Sequence, residues 1–207
     1  MKRITDFSEL DLKKQYNYAD YLSWHFSERV ELIKGWIYKM PALPSGRTPA
    51  PKRRHQKIEG FLFVKLFQHL ENSTCEVYQS PFDVRLIKNK QQEDKSIDTV
   101  VQPDICVICD KEKLDDAGCI GAPDLIIEIL SLSTAKKDYN EKFNLYEENG
   151  VKEYWIVNPS ENSIEIYSLK DGVYELYCLY GHTYTDETIS GQLFPELKIS
   201  LEKVFQN

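Results

Sequence analysis

The chain has 207 residues, of which 42% are hydrophobic and 12% aromatic. This composition is typical of a folded domain and excludes a disordered chain. The formal net charge is −7, whereas proteins that hold DNA by bulk electrostatics are usually basic. Any nucleic-acid contact must therefore come from a local patch, while an acidic metal site remains compatible because the ion supplies positive charge locally.

The sequence predicts a cytoplasmic protein without a membrane partner. Apolar runs such as residues 124–130 are too short to cross a bilayer, and the charged residues 1–12 do not resemble a signal peptide. The five cysteines are expected to be reduced thiols. Cys106 and Cys109 form a Cys-x-x-Cys pair, but on a strand they would point to opposite faces, so a shared metal is not favoured.

The first half of the chain predicts two helices around a hairpin. Residues 18–24 predict a short helix capped by Asn17, and residues 30–39 predict a hairpin that turns near Lys34-Gly35. A proline-rich loop, residues 43–54, then precedes a long helix with an apolar stripe at every fourth position. The stripe consists of Ile58, Leu62, Leu66 and Leu70.

The second half predicts strands interrupted by one helix. This helix begins at Ser133 or Thr134 and ends near Glu148, before Asn149-Gly150. The strands are residues 76–78, 82–87, 99–109 (interrupted by Pro103), 124–130, 154–157 and an antiparallel run over 163–184. We therefore predict an α/β protein with a mixed central β-sheet flanked by helices, whose C-terminal strands extend that sheet or fold beside it.

Glu128 lies inside an apolar strand that should be buried on both faces. A buried carboxylate is costly unless it is paired or binds a metal ion. A functional site, a structural bridge to a lysine and a strand end near solvent all remain open at this point.

Two Pro-Asp pairs offer a second carboxylate. Asp124 is four residues before Glu128, about 13 Å away along one strand, and is a poor co-ligand for one Mg²⁺ ion. Asp104 follows Pro103 on a different strand, and the two carboxylates can meet if the strands are neighbours. The proline removes a backbone donor, and such breaks often aim a side chain at a site.

A cation near these carboxylates would stabilise developing negative charge. Leu130, two residues after Glu128, cannot serve. Asp138, Lys142 and Tyr146 are spaced to share one helix face. That face is an ordinary solvated Asp–Lys pair unless it covers the Glu128 strand.

These segments resemble a known family. Pro103-Asp104 followed by Glu128-Ile129-Leu130 resembles the PD-(D/E)XK motif of restriction-endonuclease-like nucleases, and the chain is more closely similar to the Uma-type family of restriction endonucleases. The similarity covers residues 18–167, and its further segments are 18–22, 30–35, 55–58, 82–86, 101–104, 121–125, 128–131 with 133–134, and 150–155.

The resemblance implies a restriction-endonuclease-like α/β core in a single domain, residues 1–207, with the core at about 18–167 and a C-terminal strand extension at about 168–207. It implies Asp104 and Glu128 as ligands of Mg²⁺, with Mn²⁺ as a possible substitute. Because Leu130 occupies the motif's lysine position, the resemblance implies Lys142 as a migrated lysine, in preference to Lys136 and Lys137.

Further residues are expected to support such a site. Glu31 is either a third metal-binding carboxylate or an ordinary strand residue, and His55 and Gln102 are supporting candidates. Phosphate contact by Lys52, Arg53 and Arg54 is weighed against a solvated loop, which is favoured for three charges in a proline-rich segment.

The expected activity is metal-dependent endonuclease cleavage of nucleic acid, with DNA as the expected substrate, by a possible homodimer. The alternative is a catalytically inactive nuclease fold that binds nucleic acid or acts as an oligomeric scaffold.

Overall fold

The computed structural model describes residues 3–39, 53–87, 93–131, 138–181 and 187–206. The strands in these ranges, β1 to β14 in chain order, are Val30–Ile33, Trp36–Lys39, Glu76–Gln79, Val84–Arg85, Val100–Val101, Ile105–Ile108, Leu114–Asp115, Gly118–Ile120, Leu125–Ile129, Glu153–Asn158, Ser163–Lys170, Val173–Tyr180, Thr188–Ile189 and Ile199–Ser200. The α-helices, α1 to α4, are Tyr18–Tyr21, Arg53–Leu70, Phe143–Glu148 and Leu201–Phe205. A π-helical turn, Asp138–Lys142, leads into α3.

The strands form two mixed six-stranded sheets and one small antiparallel pair. The N-terminal sheet has the order β2-β1-β5-β4-β8-β7, and the central sheet has the order β12-β11-β10-β9-β6-β3. Each contains one parallel pair, β4 with β8 and β9 with β10. The predicted mixed α/β class is confirmed, with two mixed sheets where one was expected.

Pro103 marks the point where the chain passes from one sheet to the other. The single strand predicted over residues 99–109 is divided into β5, in the N-terminal sheet, and β6, in the central sheet. Proline cannot donate to a strand ladder, so the interruption predicted there becomes a change of sheet. Asp104 is the last residue before β6.

Helix α2 covers one face of the central sheet. Its apolar stripe is buried, as predicted, and packs in one cluster with the odd-numbered residues of β9. The shared residues of this layer are Ile58, Leu62, Leu66, Leu70, Leu125, Ile127 and Ile129. The start of α2 lies near the end of β9, because Asp104 contacts both His55 of α2 and the backbone N–H of Ile129.

The opposite face of β9 packs against α3. Ile126 lies in a second cluster with Leu145 and Tyr146. Side chains alternate along a strand, so Glu128 lies on this second face, toward α3. A third cluster lies beneath α1, where Asn17 forms the predicted cap.

Several predicted bounds change. The strand over residues 82–87 is reduced to β4, and the segment 110–123, interpreted as polar, contains β7 and β8. The hairpin, the helix end at Asn149 and the C-terminal antiparallel strands are confirmed. The proposed helix start at Ser133 or Thr134 lies outside the described residues.

The expectation of reduced thiols is wrong for two cysteines. Cys75 and Cys109 form a disulfide, because the antiparallel register of β3 and β6 brings the residues flanking Glu76 and Ile108 together. Cys106 is buried and free on the opposite face, as its spacing from Cys109 predicted. Among the helices that the structure describes, none combines the length and apolar character needed to traverse a membrane.

Candidate active site

Asp104 and Glu128 are neighbours across two paired strands. β6 and β9 are antiparallel with Ile105 opposite Ile127, so one further step places Asp104 opposite Glu128. The backbone N–H of Ile129 donates to Asp104 Oδ2 at 2.7 Å. The condition for the two carboxylates to meet, that their strands be adjacent, is therefore met.

Lys142 lies between two buried carboxylates. Its Nζ is 2.7 Å from Glu128 Oε1 and 3.0 Å from Glu31 Oε1, and Asp138 Oδ1 is 3.9 Å away. We call Glu31, Glu128, Asp138 and Lys142 the acid–lysine cluster. All four are at least nine-tenths buried, and since Glu31 is on β1, the cluster joins the two sheets.

Tyr146 completes the contacts of Glu128. Its hydroxyl donates to Glu128 Oε1 at 2.7 Å. Lys142 and Tyr146 thus approach the same oxygen from the helix face that the sequence singled out. The condition for interpreting this face as more than a solvated Asp–Lys pair, that it cover the Glu128 strand, is met.

The acid–lysine cluster contains more acids than its lysine can neutralise. Burial raises the pKa of Glu128, Lys142 opposes this rise, and Asp138 and Asp104 add to it. Burial lowers the pKa of Lys142, but Glu128 and Glu31 outweigh that effect and hold it well above its usual value. Lys142 therefore stays cationic, and the surplus negative charge favours a proton or a further cation.

His55 and Glu59 approach Asp104 from the first turns of α2. His55 Nε2 is 3.2 Å from Asp104 Oδ2, and His55 Nδ1 is 3.7 Å from Glu59 Oε2. One ligand atom from each of the three residues lies within 4.8 Å of the others. His55 was predicted in a supporting role, whereas Glu59 was missed, although its i+4 spacing from His55 was visible in the sequence.

The chemistry of these residues fits a divalent cation. Imidazole nitrogen and carboxylate oxygen are both common metal ligands. His55 Nδ1 is buried without a hydrogen-bond partner among the described residues. Burial raises the pKa of Glu59 to about 7, the Asp104 charge adds to this rise, and His55 and Arg29 oppose it.

Gln102 holds its neighbours in place. Its backbone N–H donates to Glu31 Oε1 at 3.1 Å, and its side-chain oxygen accepts from Arg29 Nη2 at 2.8 Å. Its amide nitrogen donates to Asp83 Oδ1 at 2.8 Å. The supporting role predicted for Gln102 is consistent with these bonds, and Arg29 is a second residue that sequence reasoning missed.

Asp124 has a structural position at the start of β9. Its carboxylate accepts from the N–H of Cys109 at 2.7 Å and lies 2.7 Å from Lys152 Nζ. These contacts agree with the strand-start role expected of Asp124.

The basic segment before α2 is described in part. Arg53 is exposed, and Arg54 donates to Asn162 Oδ1. Lys52 lies outside the described residues, as do Lys136 and Lys137.

The comparisons with known proteins point to one family. The model of the Uma2 family, described as "Putative restriction endonuclease", matches residues 18–202. A protein of Synechocystis sp. strain PCC 6803, described as "Uncharacterized protein slr1290", is 26% identical over 155 residues, which cover 73% of this chain and 73% of that protein.

A solved structure has the same fold. The crystal structure of "a putative nuclease belonging to DUF820" from Anabaena variabilis ATCC 29413 matches with a TM-score of 0.64 at 18% identity. The match covers 85% of this chain and 89% of that chain. The two-sheet α/β architecture described above is therefore shared with that protein.

Proposed function

The chain belongs to the Uma2 family of restriction-endonuclease-like proteins, and on this premise we propose that it is a metal-dependent endonuclease that hydrolyses phosphodiester bonds in nucleic acid, with DNA as the preferred substrate. A hydrolase acting on nucleic acid is the general activity that the family and the fold support. The metal dependence and the choice of DNA are the specific parts of the proposal.

One observation carries the proposal: charged residues from distant parts of the chain converge beside Asp104. Glu31, Glu128 and Lys142 come from β1, β9 and the π-helical turn. The Lys142 ammonium group lies within hydrogen-bonding distance of both glutamates. Burying several charged side chains together costs desolvation free energy on folding. Titratable groups with perturbed pKa values are concentrated at functional sites.

Asp104 and Glu128 would hold Mg²⁺, or Mn²⁺ in its place, with Glu31 as the candidate third carboxylate. When bound, the ion supplies an activated water and stabilises charge on the phosphate. Lys142 places a fixed positive charge beside Glu128, where it can stabilise negative charge that develops on the phosphate oxygens. Tyr146 and Gln102 hold Glu128 and Glu31 in position.

One feature favours the alternative, a nuclease fold that has lost catalysis. Glu128 and Lys142 have side chains only 5% and 4% exposed and satisfy one another, as a purely structural bridge would. The motif position of the lysine is Leu130. An inactive nucleic-acid-binding or oligomeric protein with this bridge would depend on Lys142 for stability and would have no cleavage activity to lose.

A plasmid-nicking assay with Mg²⁺, Mn²⁺ or EDTA tests the proposal, with a single-stranded RNA of the same length in parallel. We expect Asp104→Asn to lower the cleavage rate at least about a hundredfold, since loss of groups that only orient metal ligands already costs about 10–100-fold. Asp171→Asn, in an exposed turn with positive φ that asparagine tolerates, is the matched control. Equal cleavage by Asp104→Asn and parent protein would contradict the proposal.

A further inference from the structure

We propose that His55, Glu59 and Asp104 form a second divalent-cation position, with mixed nitrogen and oxygen ligands, that prefers Mn²⁺ to Mg²⁺. It shares Asp104 with the Mg²⁺ position proposed above and so deepens the proposed function. Glu59 is its distinguishing residue, because Glu59 has no contact with the acid–lysine cluster among those that the structure describes.

The geometry of α2 presents both new ligands on one face. His55 and Glu59 are four residues apart, so their side chains lie one above the other. Their candidate ligand atoms and that of Asp104 are within 4.8 Å of one another. Ligands at about 2.1 Å from one ion lie up to about 4.2 Å apart, so modest side-chain rotations bring all three around a single cation.

Two polar groups here have no hydrogen bond within the described residues, and one of them, His55 Nδ1, is buried. Within the described residues the Glu59 carboxylate accepts no hydrogen bond, and its one ion-pair contact is the 3.7 Å approach to His55. His55 Nδ1 is buried and has no hydrogen bond within the described residues. Buried polar atoms nearly always have partners, and a cation bound between His55 and Glu59 would give His55 Nδ1 a partner.

Glu128 differs from Glu59 in this respect. Its Oε1 already accepts from Lys142 and Tyr146. A cation gains less by approaching an oxygen that has two donors than by approaching one that has none. Asp104 lies between the two environments, with contacts to His55 and to the backbone of Ile129.

The ligand types indicate which ion fits. Mg²⁺ prefers oxygen ligands and usually retains several waters. Imidazole suits transition metals, and Mn²⁺ also accepts carboxylates. A site with one histidine and two carboxylates is therefore better matched to Mn²⁺ than to Mg²⁺.

Electron paramagnetic resonance of free Mn²⁺, recorded while the ion is titrated into metal-free full-length protein, measures the binding directly. We expect Glu59→Gln and His55→Gln each to remove one bound Mn²⁺ per chain or to weaken its binding at least about tenfold. The controls are His69→Gln, at the far end of α2, and Glu71→Gln, just beyond it, and both should bind Mn²⁺ like the parent. Mg²⁺ should displace this Mn²⁺ only in large excess.

Parent-like Mn²⁺ binding by both Glu59→Gln and His55→Gln would overturn the inference. Thermal melting in EDTA establishes that each variant is folded, so a loss of binding cannot be a loss of structure. The two proposals fail separately. Glu59-dependent Mn²⁺ binding without cleavage supports the second site and contradicts the nuclease, whereas Asp104-dependent cleavage with unchanged Mn²⁺ binding in both variants contradicts the second site alone.

Discussion

Lys142 is the residue on which the charge balance of the site depends. It is the cation nearest to both Glu31 and Glu128 among the described contacts, and its side chain is only 4% exposed. When a charged pair is buried away from water, removing one partner leaves the other charge uncompensated. The resulting loss of stability exceeds the net contribution of the intact pair. Removal of the Lys142 charge should therefore lower the stability of the folded protein, whether or not Lys142 also takes part in catalysis.

We expect Lys142→Met to lower the free energy of unfolding by about 3–5 kcal/mol, because Glu31 and Glu128 would lose their shared cation. Urea unfolding at pH 7 measures this change. Lys170→Met is the matched control, since Lys170 and Glu175 form an exposed pair that contributes about 0–1 kcal/mol. Equal losses in the two variants would contradict the assignment of Lys142 as a buried, obligatory partner.

The raised pKa of Glu59 predicts that the stability of the metal-free protein depends on pH. Burial raises its pKa from 4.5 to about 7, so between these values the folded state binds the proton more tightly than the unfolded state. Stability from this group is unaffected below pH 4.5, falls as the pH rises to 7, and remains reduced above it. The full loss is about 3 kcal/mol, since each pKa unit corresponds to about 1.4 kcal/mol.

Urea unfolding of the parent and Glu59→Gln in EDTA at pH 4.5 and pH 8 tests this. Glutamine does not titrate, so the variant should gain stability relative to the parent by about 3 kcal/mol between the two pH values. A constant difference between the two proteins across the range would contradict the prediction.

At the scale of elements, α2 and the two strands β6 and β9 position the site. The apolar stripe of α2 fixes the helix on the central sheet, which brings His55 and Glu59 to the end of the sheet where Asp104 lies. Two glycines, one in α2 and one at the start of β8 in the N-terminal sheet, have opposite requirements. A Cβ at Gly60, in α2, would meet nothing within 4 Å, whereas at Gly118, with φ of +124°, it would lie 2.2 Å from Asp83 O.

We expect Gly60→Ala to stabilise the protein by up to about 1 kcal/mol, because alanine has the higher helix propensity. Gly118→Ala should destabilise it by more than that, because both the backbone conformation and the contact with Asp83 exclude a side chain. Thermal melting of the two variants at the same concentration measures both effects. A destabilising Gly60→Ala would show that this face of α2 is covered.

At the scale of the whole molecule, the acid–lysine cluster joins two sheets, and the chain has a formal net charge of −7. An acidic protein repels the phosphate backbone of DNA. The proposed substrate must therefore be held through the metal site and through local cations such as Arg53. Homodimerisation and cytoplasmic location remain predictions at this scale.

We expect DNA binding to be weak in EDTA and at least about tenfold tighter in Ca²⁺, which is used as a probe ion in place of Mg²⁺. The reason is that bound cations supply the missing positive charge. Fluorescence anisotropy with a labelled duplex at constant ionic strength measures this. Arg53→Ala should weaken binding and lower the salt slope by about 1. Tight binding in EDTA would contradict the electrostatic argument.

Local patterns determined much of the molecule in advance. The stripe of α2, the hairpin at Lys34-Gly35, the cap at Asn17 and the doubly buried strand around Glu128 all follow from short-range periodicity and turn chemistry. The division of the strands between two sheets did not, because strand pairing depends on contacts far apart in the sequence. The disulfide between Cys75 and Cys109 was missed for the same reason.

The sequence by itself singled out Glu128, because a carboxylate in an apolar strand is conspicuous without any structure, and it favoured Asp104 over Asp124 by distance along a strand. Only the tertiary structure decided what these carboxylates contact. In the structure, Lys142 and Tyr146 bind Glu128, and Glu31 from the other sheet contacts the same lysine. Glu59 lies beside His55 and Asp104. The physical reason is that burial and charge pairing depend on how helices and sheets pack, and this packing is absent from local sequence spacing.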